Sequence, residues 1–355
     1  MTSTLPQCTF HKQSTPNKRR SKSKKDLILQ ISPIHLELAT FSSNKMTTIL
    51  DIPGSNPPNR FSPPIEATIT STNYSSLAEE TAEKLVQTVT TSSDPAHALW
   101  ELWDAFFTAV VSSSSSPSHE PHLALLDAIR AQPPTQPNNI SAGSDAKMRL
   151  RTHIQADGKL HWSKLPRFDW QWRDTHDILQ EWRDWDGVRD PRTEDGSTGN
   201  TLSSSGDQLY LRFINFSAML LKRDKKPSAG HAVWVFYACH DVLEREAPQF
   251  HEPKKHRLSS EQVWALDVRV AATWVRDGGW ALWKTNYEEL REHWAAALDD
   301  KTELWPREDG LTRERWQLWK ERLRVLSADQ ADLDEETRIV AKEAYEVVEG
   351  ILRKV

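Results

Sequence analysis

The sequence predicts an all-α fold, an irregular array or bundle of about ten helices behind a disordered basic N-terminal extension. Three observations carry this. The 355 residues hold 16 Trp but only 12 Gly, and phosphate loops, tight hairpins and barrel corners consume glycine whereas helix packing does not. Segment after segment places apolar residues at spacings of three and four. No run of four to eight residues alternates convincingly between turn residues as a half-buried strand would.

Charge is segregated along the chain. Residues 1–45 carry eight Lys and Arg against two acids, a net of +6, which leaves −11 on the other 310 residues to make the total of −5. Lys18, Arg19, Arg20, Lys22, Lys24 and Lys25 form a run broken only by serines, which reads as a nuclear import signal or as a solvated tail. Met46 opens a second candidate start, which would remove the run. Pro53, Pro57, Pro58, Pro63 and Pro64 among Ser, Thr and Asn argue for a linker reaching Thr72. Residues 1–70 are therefore expected to be disordered. Residues 71–355 are expected to form one helical domain with flexible loops near 112–118, 132–150 and 190–207.

The elements follow in order. Ser76 with Glu79 makes a capping box for a helix through Leu85 and Val89. Asp94-Pro95 starts the next, whose apolar face of Leu99, Trp100, Trp103, Phe106, Phe107 and Val110 leaves only a polar stripe through Glu101, Asp104 and Thr108. A shorter helix spans Leu123 to Ile129. After Leu165-Pro166 come helical segments Arg167 to Trp185, Gln208 to Leu221, Ala229 to Glu246, Ser260 to Asp277, Tyr287 to Leu298, Thr312 to Leu326 and Glu335 to Leu352. Gly278-Gly279 reads as a C-cap, and Thr312 and Asp334 read as N-caps.

The strings Leu258-Ser-Ser-Glu-Gln-Val-Trp264, Ala271-Ala-Thr-Trp-Val-Arg-Asp-Gly-Gly279, Leu290-Arg-Glu-His-Trp294, Thr302-Glu-Leu-Trp305 and Gly310-Leu-Thr-Arg-Glu-Arg-Trp316 together resemble a fungal family of Trp-rich helical proteins known only as a domain of unknown function. The resemblance extends from about Tyr74 to Leu352 and is sharpest between Leu258 and Trp319. It implies a helical fold, and it assigns no activity and no site residue.

Chemistry must then be sought in the residues themselves. Trp100, Trp103, Trp264, Trp274, Trp316 and Trp319 project onto apolar faces, where core packing explains them. Trp170 instead projects with Arg173 and Asp177 to the polar side of its helix, away from Phe168, Trp172, Leu179 and Trp182, and is a candidate protein interface. His240, between Phe236 and Val233, and Asp267, within the arc of Trp264, Ala271 and Trp274, are polar groups inside apolar faces. They are either satisfied core groups fixing helix register or weak candidates for one acid–base site.

His231 with His240-Asp241 superficially resembles the ligands of helical metal-dependent phosphohydrolases, but nine residues on one helix do not align His231 with His240. His119-x-x-His122 falls in a Ser/Pro-rich loop, and no other metal or nucleotide motif occurs. No cofactor is expected. Two cysteines, Cys8 and Cys239, build neither a disulfide framework nor a zinc site and suit a reducing compartment. No 18-residue apolar stretch and no leader-like core is present, so neither membrane nor secretion is expected, and the setting is cytoplasmic or nuclear. A body of −11 would be repelled by phosphate unless its positive residues cluster, so nucleic acid is not an expected partner. The reading that follows is a non-enzymatic helical protein-binding or scaffold domain. The alternative is a small-molecule enzyme, a metal-dependent hydrolase among the options, working through His240 and Asp267.

Overall fold

Twelve α-helices run through the residues that the computed structural model describes, namely 59–112, 118–138, 144–185, 205–225, 228–246, 257–329 and 332–354, all within the unit Thr48–Val355. They are α1 (Ser62–Ile69), α2 (Tyr74–Thr91), α3 (Pro95–Ser112), α4 (Glu120–Arg130), α5 (Ser144–Arg151), α6 (Phe168–Trp182), α7 (Gly206–Arg223), α8 (Ala229–Val242), α9 (Ser260–Lys284), α10 (Tyr287–Leu298), α11 (Arg313–Leu326) and α12 (Glu335–Arg353), with a 3-10 turn at Trp162–Lys164. No strand occurs among the described residues; two isolated bridges, Thr135 with Leu160 and Trp185 with Arg257, are the only β pairings there. The basic run Lys18 to Lys25, Met46, Cys8, Pro53 to Pro58, and most of the loops expected near 112–118 and 190–207 lie outside the described residues.

The fold is organised around α9, which packs against α7, α8 and α12. Ser259 opens it with a complete capping box, its side chain accepting from Gln262 N while Gln262 Oε1 accepts from Ser259 N, which satisfies two end donors at once. Helix α3 is buried on nearly every side, as its wide apolar face requires, and α6 packs between α3 and α7. A smaller layer stacks α1 on α2 and α3, and α2 on α4. Asp94 caps α3 through His97 N at 3.1 Å, Thr312 caps α11 and Asp334 caps α12.

Several expectations are corrected. The unstructured linker expected to Thr72 does not hold from Phe61 on. Pro63 and Pro64 follow Ser62 in the first turn of α1, where a missing N–H costs nothing, and Phe61 and Ile65 are buried. The loop expected over 132–150 contains α5. Helix α2 begins at Tyr74, before Ser76, with no side-chain cap, so the capping box at Ser76 and Glu79 does not form. Two of the three polar-stripe residues of α3, Asp104 and Thr108, are buried, because neighbouring helices cover that side as well.

Gly278 and Gly279 do not end α9, which continues to Lys284. A Cβ at Gly278 would lie 2.8 Å from Val235 Cγ2 and 2.9 Å from Leu221 Cδ2. Glycine is there so that α7, α8 and α9 can approach, and the backbone stays helical.

Candidate functional site

The residues singled out from sequence do not assemble into one site. His240 lies in the last turn of α8, and its ring passes Phe236 at 5.7 Å to reach outward. Its Nδ1 lies 2.8 Å from Asp241 Oδ1 and its Nε2 3.6 Å from Asp300 Oδ2. Its side chain is only 14% exposed, and Nε2 is buried without a hydrogen-bond partner. Asp267 is half-buried, with 29% of its side chain exposed, and accepts from Arg183 Nε at 3.1 Å. Its partner is an arginine at the end of α6, and Asp241 of α8 and Arg245 just beyond it also act on this carboxyl. Loss of hydration raises the Asp267 carboxyl, and Arg183 opposes that. No hydrogen bond or ion pair joins His240 to Asp267 among the described residues. His231 pairs with Asp169 at 3.3 Å instead of joining His240.

Trp170 stands where the sequence places it, on α6 and 51% exposed. What positions it is unusual backbone. Leu165 and Arg167, either side of the buried Pro166, take left-handed φ values of 45° and 70°, which non-glycine residues adopt at a cost of about 1 to 3 kcal/mol each. The turn is held by Trp103 Nε1 donating to Pro166 O at 2.8 Å and by Phe168 N donating to Leu165 O at 3.0 Å. It leads into α6, whose Phe168, Gln171 and Trp172 are buried while Trp170 lies on the exposed side. The His153 ring, nearly fully buried, stands edge-on to Trp170 at 6.4 Å. Arg167 Nε is buried with no acceptor. Desolvation lowers this guanidinium, and Asp174 acts against that.

Sequence reasoning missed the most buried charges. Glu244 and Arg315 form an ion pair with both side chains wholly shut from solvent. It also missed the burial of His119 and His122, of which only His119 lies outside a helix. His119 precedes α4, His122 sits in its first turn, and both are buried beside Phe216 with ring centres 5.2 Å apart. Burial pushes His119, His122 and His153 down to about 4. The serine run before His119 hid this, since it resembles a loop that would continue.

Concavities also lie beyond this face among the described residues. A cavity of about 20 Å³ among Trp172, Ser217, His231 and Trp234 has room for about one water. An open groove of about 810 Å³ runs over Trp280, Met219 and Val347. Six of its charges are paired with one another: Asp277 with Lys222 and Arg276, Arg276 with Glu343, and Arg223 with Glu120, with Glu346 beside them. Among the described residues no group of three or more His, Cys, Asp and Glu could hold a metal ion, and no helix is long and apolar enough to cross a membrane.

No curated protein and no solved structure matches this chain. A family described as "Protein of unknown function (DUF3632)" matches residues 103–323, more than half of the chain and a span that contains Trp170, Glu244 and Arg315, and the chain belongs to that family.

Proposed function

We propose that this chain is a non-enzymatic protein-binding domain that engages its partner through the Trp170 face, in a cytoplasmic or nuclear setting. The supporting observation is the exposure of Trp170 on a chain that buries Trp103, Trp162, Trp172, Trp274, Trp316 and Trp319 almost completely. Exposed tryptophan flanked by arginine is the composition of interface hot spots. Two strained residues stand immediately before the turn that presents it, and such strain persists where the surrounding structure over-determines it. His240 lies against Asp241 and Asp267 against Arg183, and no hydrogen bond joins His240 to Asp267 among the described residues. The intracellular setting rests on the two isolated cysteines and the basic run Lys18 to Lys25.

Affinity purification of the full chain and of Trp170→Ala from the native cell tests this reading. The variant should keep the wild-type melting temperature, because Trp170 is largely outside the core, and should lose specific co-purifying proteins. An unchanged set of partners would remove Trp170 from the interface.

A further inference from the structure

We draw no further inference here: the strongest candidate, the open groove over Met219, Trp280 and Val347 between α7, α9 and α12, has walls whose charges are largely paired with one another, and nothing in the structure shows what covers it.

Discussion

Arg315 Nε donates to Glu244 Oε1 at 2.6 Å, and its Nη2 donates to Oε2 at 2.9 Å, at a point where neither side chain has any exposure. The carboxylate accepts two hydrogen bonds at each oxygen, and four of the five guanidinium donors are used. Trp319 Nε1 and Thr302 Oγ1 also donate to the carboxylate, and Arg315 Nη1 donates to the carbonyls of Leu298 and Gly310. The guanidinium lies over the Phe236 ring at 4.8 Å. Residues of the strings Thr302 to Trp305 and Gly310 to Trp316 thus converge on one carboxylate in the turn just after α8, and with Trp319 they tie that turn to α11 and to the end of α10. Gly310 is required for this arrangement: it takes φ +70°, and a Cβ there would collide with Tyr287 Oη.

Glu244→Ala should therefore cost about 3 to 5 kcal/mol, because it strands a buried guanidinium. Removing both charges, in Glu244→Met with Arg315→Met, should cost clearly less than the sum of the single changes. Urea unfolding of the four proteins measures this. A Glu244→Ala variant within about 1 kcal/mol of the parent would show that the pair is not the clamp its geometry suggests.

Asp267→Ala should be milder. The carboxylate is 29% exposed and the Arg183 side chain 28% exposed, so water screens the contact and can rehydrate the arginine left behind. A loss of about 1 kcal/mol or less is expected. A loss comparable to that of Glu244→Ala would mean that this edge is closed in solution.

Acid should destabilise the domain through its buried imidazoles. His119, His122 and His153 stay neutral down to about pH 4 when folded, whereas the unfolded chain takes up protons near pH 6.5. Because the folded values are the lower ones, their contribution is intact above about pH 7 and is lost as pH falls from about 6.5 toward 4. Each group can remove up to about 3 kcal/mol across that window. Unfolding midpoints measured along a pH series should fall over this range. His122→Leu should flatten the slope, because it removes one of the three rings that burial holds neutral. An unchanged slope would place these rings in solvent.

The helical architecture was legible because amphipathic spacing and caps are local signals. Asp94, Thr312 and Asp334 announce their helices by residue type alone, and Trp170 falls on the polar side of its helix by angle alone. What stayed hidden depends on tertiary neighbours. Nothing local separates Glu244 and Arg315 from the many surface charges around them, since their partners lie 71 residues apart. Paired prolines before Ile65 carry the same letters whether they break a segment or start a helix. Gly278-Gly279 reads as a stop until Val235 and Leu221 are placed against it. The left-handed turn around Pro166 has no glycine to mark it, so the strain that presents Trp170 could not be read.

The two adjacent glycines of α9 should respond oppositely to alanine. A Cβ at Gly279 comes no nearer than 3.4 Å to Val347 Cγ1, so Gly279→Ala should gain toward about 1 kcal/mol from helix propensity. Gly278→Ala gains the same propensity but meets Val235 and Leu221 below 3.0 Å, and overpacking of this kind costs about 1 to 3 kcal/mol. Thermal melts should rank Gly279→Ala at or above the parent and Gly278→Ala below it. The reverse order would show that α9 does not approach α7 and α8 as closely as described.

Truncation locates the start of the packed body. Phe61 is 1% exposed and Ile65 fully buried, and Thr68 Oγ1 lies 2.7 Å from Thr81 Oγ1 across α1 and α2. Burying each large apolar side chain is worth about 1.5 to 3 kcal/mol, so losing α1 should cost several kcal/mol and expose the surfaces of α2 and α3 beneath it. Proteins beginning at residues 59 and 71 should therefore differ in melting temperature by at least about 5 °C, the shorter being less stable. Double replacement of Phe61 and Ile65 by Ser in the longer protein should reproduce most of that difference, because the effect comes from the two anchors rather than from chain length. Equal melting of the two truncations would detach α1 from the core and return the domain boundary to residue 70.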